Sequence, residues 1–309
     1  MVNYLKHKSK FLIIMSLLLL FSFFNALSTH NDLNSKYIFT FWEPNKKVPG
    51  YLNLCIKTWK KFLPEYKIII LDYSNLRDYL SSNFITKVLY KKMNLPIQAD
   101  GIRVALLYKY GGIWMDMDTI ITNSNFLELF KGVNLAMFGS EKTNSQHIGF
   151  IYASKGSKIL KIWLKNIIKK ISYYRFIDFL HQYFHNNYIE YILNQLKIWN
   201  YLGNGIIDQL LKNVSKNDYS RIELEKMHIR PECYFIRNGS LIYKYQNFFF
   251  SRGNAEKLLN YSKGIFLLHN SWTPIKYKNI SEEKFLHLDI LISEFFRLLL
   301  NKNLVNKNI

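Results

Sequence analysis

The stretch QADGIRVALLYKYGGIWMDMDTIIT, from Gln98 to Thr122, determines how the rest of the chain is interpreted. Its first half carries the aliphatic and aromatic residues of a helix, two glycines follow, and an apolar strand pattern comes next. Two aspartates, Asp116 and Asp118, stand one residue apart in that pattern. Two neighbouring carboxylates repel each other, and a buried charge is costly unless something pairs with it. The pattern therefore predicts a bound cation at this point of the chain.

The spacing of the two aspartates indicates which cation. In an extended strand, residues i and i+2 point to the same side, about 6–7 Å apart. Two carboxylates placed in this way can share a divalent cation, and such hard oxygen ligands suit Mn²⁺ or Mg²⁺, which also bind substrate phosphates. An Asp-x-Asp pair alone is a weak signal, so its context has to carry the interpretation.

Asp100 and Arg103 lie three residues apart in the preceding helix pattern and so share one helix face. One interpretation is an ion pair within the helix, which contributes little stability. The other is functional: Asp100 accepts hydrogen bonds from sugar hydroxyls, and Arg103 orients it or contacts a phosphate. The predicted metal-binding strand that follows favours the functional interpretation.

Composition narrows the class of protein. The chain has 309 residues, of which 49% are hydrophobic and 21% charged, which is typical of a globular protein. Its formal net charge of +20 comes mostly from lysine. The charge suits an acidic partner, or it reflects lysines scattered over solvated faces. Because no compact Arg/Lys block is present, we predict no nucleic-acid partner. Cys55 and Cys233 form no Cys-x-x-Cys pair, which argues against a zinc site or a disulfide scaffold.

The N-terminal residues predict a membrane anchor. Lys6, Lys8 and Lys10 precede an apolar run from Phe11 to Leu27, and no clear cleavage site follows. We expect a retained anchor rather than a cleaved signal, with the N-terminus in the cytoplasm by the positive-inside rule. The chain then divides into residues 1–35, comprising the cytoplasmic tail, anchor and linker, and a catalytic domain over residues 36–309.

The catalytic domain reads as an α/β sheet. Strand and helix patterns alternate, which predicts crossover connections and a ligand outside the carboxyl ends of the strands. Residues from about 157 to 200 read as an amphipathic helical insertion that packs on the core, covers the site or lies on a membrane surface. Strands are expected at 36–42, 66–72, 113–116 and 136–140, and helices at 48–62, 100–109 and 281–300.

The opening stretch resembles the signature of the DXD-type sugar transferases: glycosyltransferase family 32, the related capsular-polysaccharide synthesis proteins and the glucosylating toxin domains. Their shared pattern is small-Asp-x-x-Arg, a leucine-rich helix, Gly-Gly, and then aromatic-x-Asp-x-Asp. The matching residues are Ala99, Asp100, Arg103, Leu106, Leu107, Gly111, Gly112, Trp114, Asp116 and Asp118. The resemblance implies catalytic roles for Asp100, Arg103, Asp116 and Asp118.

The resemblance extends in both directions along the chain. YIFTFW, ending at Trp42, is similar to a first strand whose tryptophan stacks near the nucleotide base, and PEYKIIILD, ending at Asp72, is similar to the second strand. FLLHNSWTP (266–274) resembles the segment that completes the metal and diphosphate site, which implies His269 as a third metal ligand. The implied donor-binding residues are Trp42, Asp72, Asp100, Arg103, Gly112, Trp114, Asn270, Ser271 and Trp272.

Two features depart from the family pattern. The first strand often begins Ile-Pro-x-x-Ile-His, and this chain lacks that histidine. The acceptor-side motif, often Thr-Gly-Pro, corresponds at best to YLGNGIID (201–208), which makes Gly203, Asn204 and Asp208 the acceptor-side candidates.

The resemblance implies a GT-A type nucleotide-diphospho-sugar transferase fold, with a Rossmann-like sheet. The implied activity is a Mn²⁺- (or Mg²⁺-) dependent, retaining transfer of a hexose from a nucleotide-diphosphate sugar to a glycan or glycolipid acceptor. Two alternatives come from other classes: a catalytically silent nucleotide-sugar or glycan-binding protein, and a polyanion-binding protein suggested by the charge. Because nucleotide sugars occur in the cytoplasm and the Golgi lumen, we expect a single-pass type II Golgi protein in a eukaryote. In a bacterium we expect an inner-membrane protein that faces the cytoplasm.

Overall fold

The computed structural model describes residues 36–44, 47–140, 145–198, 200–214, 218–227, 229–230 and 240–300. The predicted anchor lies outside these residues. Across the described ranges, none of the helices combines the length and the apolar character that crossing a membrane requires.

A mixed six-stranded sheet forms the centre of the fold. Its strands are β1 (Tyr37–Phe41), β2 (Lys67–Leu71), β3 (Gly112–Met115), β5 (Leu135–Ser140), β6 (Ser145–Ala153) and β7 (Ser220–Glu223). They are arranged in the order β2-β1-β3-β6-β5-β7. Strands β2, β1 and β3 run parallel, β6 is antiparallel to both neighbours, and β7 is parallel to β5. The predicted α/β class with a parallel-rich sheet is confirmed.

Strand β4 (Thr119–Ile121) leaves the main sheet and pairs antiparallel with β8 (Ile265–Leu267). This small ribbon brings the segment after the two aspartates next to a segment nearly 150 residues further along the chain. The larger helices are α1 (Gly50–Phe62), α4 (Leu95–Tyr110), α5 (Lys158–Phe184), α6 (Asn187–Gln195), α8 (Leu241–Phe249) and α12 (Leu291–Leu300). The shorter ones are α2 (Leu76–Tyr79), α3 (Ser82–Val88), α7 (Asn204–Leu210), α9 (Ala255–Tyr261), α10 (Ile275–Lys278) and α11 (Glu282–Leu286).

Two hydrophobic cores cover the two faces of the sheet. Successive strand residues point to opposite faces, so Ile113 joins a core with α1, β8 and α12, while Trp114 joins a core with α4 and α5. The continuous apolar runs seen in the sequence follow from this arrangement, because both faces of each central strand are covered.

The double glycine connects α4 to β3. Gly111 has φ 70° and donates its N–H to the Leu107 carbonyl oxygen at 2.8 Å, and Gly112 has φ 99°. Both angles lie in the left-handed region, which glycine adopts without steric cost. The chain can therefore leave the helix and enter the sheet within two residues.

Three predicted elements differ in detail from the structure. Strand β3 ends at Met115, and the aspartates lie in the following turn, where the Thr119 N–H donates to the Asp116 carbonyl oxygen at 3.0 Å. The helical insertion is two helices, separated at His185, whose φ is 43°. The closing helix predicted at 281–300 is two helices, α11 and α12. The break was not predicted, because no residue pattern at 287–290 shows where the chain turns.

Asp178 attaches α5 to the loop that precedes α4. Its Oδ2 accepts hydrogen bonds from the Tyr90 hydroxyl, from Lys92 Nζ and from Gln182 Nε2, each at 2.7 Å. Burial alone raises the pKa of Asp178, but the hydrogen bonds from Lys92 and Tyr90 outweigh it and lower the pKa below its ordinary value. The long helix is therefore held at its C-terminal half by a partly buried ionic hydrogen bond.

We predict that Asp178→Asn destabilises the fold by about 1–2 kcal/mol at pH 7, because charge-assisted hydrogen bonds are lost from a largely buried carboxylate. A depressed pKa stabilises the fold above the unfolded-state pKa, and that contribution is lost as pH falls through the folded-state pKa. The difference from wild type should therefore shrink below pH ~4. Urea unfolding of both proteins between pH 3 and 7 measures it.

Glu190→Gln is the matched control, because Glu190 is exposed on α6. It should leave the unfolding midpoint unchanged at every pH. An Asp178→Asn variant that unfolds like wild type at pH 7 would show that the carboxylate contributes no net stability.

Candidate active site

The centre of the site is the Arg103 guanidinium, which lies between two carboxylates. Its Nη2 is 3.3 Å from Asp100 Oδ1 and 3.4 Å from Asp116 Oδ1, and its Nη1 donates to the Ile148 carbonyl oxygen. Asp100 and Arg103 are 3% and 5% exposed. Asp100 and Arg103 do form an ion pair within α4, but the pair is buried, and Arg103 also joins α4 to the turn after β3 through Asp116.

Trp114 contacts both Asp116 and Arg103 of this cluster. Its Nε1 donates to Asp116 Oδ1 at 2.8 Å, and its ring lies 5.0 Å from the Arg103 guanidinium carbon. Because Trp114 is 1% exposed, its visible role is to orient Asp116 and stack on Arg103. The donor contact that the resemblance implied for Trp114 stays a prediction.

Asp116 is the outward-facing carboxylate of the cluster. Its side chain is 41% exposed, while its Oδ1 is held by Trp114 and Arg103. The Oδ2 points toward Gly149 of β6: a Cβ atom at Gly149 would lie 2.7 Å from Asp116 Oδ2 and 2.8 Å from His147 Nε2. The Asp116 carboxylate and the His147 imidazole thus both lie against Gly149, where a larger residue would collide with them.

Asp118 is held in place by the segment that follows β8 in the β4–β8 ribbon. Its Oδ2 accepts the Asn270 N–H at 2.8 Å, and its carbonyl oxygen accepts the Leu268 N–H at 3.0 Å. Burial raises the pKa of Asp118 to about 7, the Asp116 charge adds to this, and the Asn270 N–H opposes it. Burial also raises the pKa of Asp100 to about 7, against the lowering effect of Arg103. Both shifts arise mainly from burial, which disfavours the charged form of a carboxylate, and the charge of Asp116 adds to each.

The segment after β8 lies next to Asp118 in space, through the hydrogen bond from the Asn270 N–H. Asn270 Oδ1 accepts from the Tyr51 hydroxyl, and the His269 N–H donates to the Tyr245 hydroxyl at 3.3 Å. The Trp272 ring stacks against His269, with 4.1 Å between ring centroids. Ser271 is exposed beside them. The backbone of 269–272 is therefore held in place by two buried tyrosines.

Two histidines near the cluster are neutral at pH 7. Burial and the Arg230 charge lower the pKa of His269 to about 4. Burial first, and then the charges of Arg230, His269 and Arg103, lower the pKa of His147. Arg230 therefore lies within electrostatic reach of both imidazoles, and the positive side of the site consists of arginine rather than histidine.

The remaining donor-side candidates divide into two positions. Trp42 and Asp72 follow β1 and β2 at their carboxyl ends, the same sheet edge as Asp116. Asp72 Oδ1 accepts the N–H groups of Ser74 and Asn75 at 2.8 and 3.1 Å, so this carboxylate closes the turn after β2. Gly112 begins β3 and lies about 10 Å from its other end. The structure does not bring Gly112 to the cluster; the residue serves the turn instead.

The acceptor-side candidates lie directly beside Asp100. A Cβ atom at Gly203 would be 2.6 Å from Asp100 Oδ2 and 2.4 Å from Ile148 Cδ1. Asn204 Nδ2 donates to the Gln146 carbonyl oxygen at 2.6 Å, and Asp208 Oδ1 accepts the Gln146 N–H at 3.1 Å. The start of α7 is thus bonded to β6 and packed on the buried acid.

No cluster of three or more His, Cys, Asp or Glu residues that could hold a metal ion occurs among the residues with described positions. The predicted set of Asp116, Asp118 and His269 is therefore not assembled by the protein alone. The His269 ring packs against Tyr245 and Trp272.

Several residues of the site were not predicted from sequence: Tyr51, Tyr245, His147, Gly149 and Arg230. The chain contains 22 tyrosines, and nothing local distinguishes the two that hold the 269–272 segment. His147 and Gly149 lie in SQHIGF, whose β6 role appears only once β5 pairs with it. The one available signal was the apolar run around Gly149, which predicts a buried strand.

Comparison with known proteins gives the family. The model of the capsular polysaccharide synthesis protein family matches residues 13–262, and the chain belongs to this family. No curated protein matches the chain. Among solved structures, the chain is similar to one titled PaToxG Glycosyltransferase, with 17% identity and a TM-score of 0.35 over 57% of this chain and 68% of that one. Membership of the family supports a glycosyltransferase-like protein.

We predict that Gly203→Ala lowers stability by about 1–3 kcal/mol, because the new methyl group overlaps Ile148 and Asp100. It should also impair ligand binding by displacing the Asp100 carboxylate. Urea unfolding gives the first quantity, and thermal shift with nucleotide sugars gives the second.

The double variant Gly203→Ala with Ile148→Val separates the two effects, since valine lacks the Cδ1 atom nearest to the added methyl group. We expect stability to recover in part while the binding defect remains. Full recovery of both would show that Asp100 is not displaced and that Gly203 is needed only for packing.

Proposed function

We propose that the protein is a metal-dependent, retaining glycosyltransferase of the GT-A type. It would transfer a hexose from a nucleotide-diphosphate sugar. The observation that carries the proposal is the arrangement of Arg103 between buried Asp100 and half-exposed Asp116, with Asp118 two residues further on. This group lies at the carboxyl edge of parallel strands, where α/β proteins bind their ligands. Membership of the capsular polysaccharide synthesis family supports sugar chemistry at this site.

Asp116 and Asp118 fit a hard divalent cation such as Mn²⁺ or Mg²⁺. Both offer carboxylate oxygens, the pKa of Asp118 is raised by burial and then by the nearby Asp116 charge, and Asp116 is open to solvent on one side. Mg²⁺ and similar ions are commonly held by one or two carboxylates, with water and substrate phosphates filling the other positions. When bound, such an ion neutralises charge that develops on the leaving diphosphate. His269 is the candidate for a third ligand, and its neutral imidazole suits that role.

Each of the other residues has a role that follows from its position. Arg103 holds Asp116 in one rotamer and adds a fixed positive charge next to the departing phosphates. Asp100, packed under Gly203, accepts hydrogen bonds from donor-sugar hydroxyls. Trp42 and Asp72 border the nucleoside end of the same sheet edge, and the backbone of Asn270, with Ser271 and Trp272, borders the diphosphate end.

The acceptor side is proposed at α7. Asp208 lies at the rim of a polar cavity of about 470 Å³ whose wall also includes Gln146, Tyr219 and Arg221. Asn204 and Asp208 connect this cavity to β6, and Gly203 connects it to Asp100. A glycan or glycolipid hydroxyl entering from this cavity would approach the donor sugar beside Asp100. We assign no residue as the base.

The apolar N-terminal run is proposed to anchor the enzyme in a membrane as a single-pass type II protein. In a eukaryote this topology would place the catalytic domain in the Golgi lumen. In a bacterium we propose the opposite orientation, with the domain facing the cytoplasm, where nucleotide sugars are made. A reporter fused after residue 309 tests the orientation.

The central test is Asp118→Asn, assayed with a panel of UDP- and GDP-sugars in the presence of Mn²⁺. We expect loss of metal-dependent hydrolysis or transfer by about 100-fold or more, since a bound cation contributes several kcal/mol to the barrier. The unfolding midpoint should not fall, because a neutral amide is cheaper to bury than a charged carboxylate.

Glu128→Gln is the control, since Glu128 is a surface residue that pairs with Lys131 on the same short helix. Turnover that is unchanged in Asp118→Asn would exclude the metal role. Tight binding of a nucleotide sugar by the wild type, without turnover of any donor, would instead support the silent binding protein.

A further inference from the structure

The outer face of α5 combines lysine and aromatic side chains in a way that the sugar-transfer site does not use. The helix has 27 residues and is therefore about 40 Å long. Its buried residues, among them Ile167, Ile171 and Tyr174, repeat at helical spacing and pack on α4. The opposite face is exposed along the whole length of the helix.

The C-terminal half of this face is aromatic. Phe176, Phe179 and Tyr183 are 56%, 52% and 70% exposed, and they lie on one side of the helix because their spacing is three and four residues. Phe179 and Tyr183 stack with 4.6 Å between ring centroids. Across the break at His185 the aromatic character continues on α6, where Tyr188 and Tyr191 are 70% and 59% exposed. Large aromatic rings so exposed and so contiguous mark an interaction surface.

The N-terminal half of the same face is basic. Lys165 and Lys169 are exposed and lie about two turns before Ser172 and Phe176, respectively, in line with the aromatic residues. The one acidic side chain of α5, Asp178, lies on the buried side and is bonded to Lys92. The lysine–aromatic face of α5 and α6 is therefore positively charged at its α5 end and mainly aromatic at its α6 end, where Glu190 is an exposed acidic residue.

We propose that the lysine–aromatic face of α5 and α6 docks flat on an anionic lipid bilayer. Aromatic rings partition into the interfacial region of a bilayer, and lysines beside them are attracted by anionic headgroups. Charge complementarity favours a bilayer over a second copy of this chain, because the chain has a net charge of +20 and two identical basic faces repel each other. The apolar run at 11–27, which precedes the described residues, gives the same chain a sequence suited to the same membrane.

The contact is distinct from an N-terminal anchor. An anchor fixes only the end of a linker, whereas a helix lying on the surface fixes the orientation of the whole domain. The docked face includes α6, which precedes the Gly203 turn by only a few residues. A docked domain would accordingly hold its acceptor side close to the bilayer surface.

A fluorophore placed on the face tests the proposal in the full chain. We label Phe179→Cys with bimane in a Cys233→Ser background and reconstitute the protein with nanodiscs of phosphatidylcholine alone or mixed with phosphatidylglycerol. We expect a blue shift and quenching by doxyl lipids in the anionic discs, and a smaller effect in phosphatidylcholine. The control label at Ile275→Cys, on an exposed residue of α10, whose Tyr277 packs against the other core, should remain in water in both.

A charge-reversal pair tests the lysines. Lys165→Glu with Lys169→Glu should abolish the shift at position 179, and Lys60→Glu with Lys276→Glu, an equal change of charge on the opposite side, should leave it intact. A label at 179 that stays water-exposed in anionic discs overturns the proposal. So does a shift that appears without lipid and grows with protein concentration, since that result would identify a second copy as the occupant. Glycosyl transfer is not measured in these experiments, so their failure leaves the proposed function untouched.

Discussion

The position of one guanidinium group organises the whole candidate site. Arg103 lies between the carboxylates of Asp100 and Asp116, bonds to the backbone of β6 and stacks on Trp114. Removal of one partner from such a buried group leaves uncompensated charge, so the helix, the turn and the two central strands are constrained together. Asp100, Arg103 and Trp114 of the site are therefore buried residues of the core.

The sequence was sufficient for the parts of the fold that depend on local pattern. Continuous apolar runs identified β1, β2 and β5, and Gly111 identified the end of α4, because these signals arise from burial and backbone conformation within a few residues. The aspartates were placed in the strand itself, since the apolar residues on both sides hide the point where pairing with β6 stops. Only the long-range pairing shows that the chain turns after Met115.

For the candidate site, too, the sequence identified the residues related by local spacing and missed those related by long-range packing. The residues of the opening stretch that come together are those whose spacing has a direct geometric meaning, such as Asp100 and Arg103 on one helix face. Gly112 was misplaced because a motif match does not distinguish a glycine needed for its backbone angle from one needed for ligand access. His147 and the tyrosines under the 269–272 segment could not be found, because their position depends on β5–β6 pairing and on the packing of α8.

The pairing of β4 with β8 has a consequence for how the protein is made. Asp118 receives its hydrogen bond from Asn270, so the acidic turn is complete only after residue 270 has been synthesised. Until then the nascent polypeptide holds an acidic loop whose partner has not yet been synthesised. A product that ends before residue 270 would lack this hydrogen bond and the β4–β8 pairing beside it.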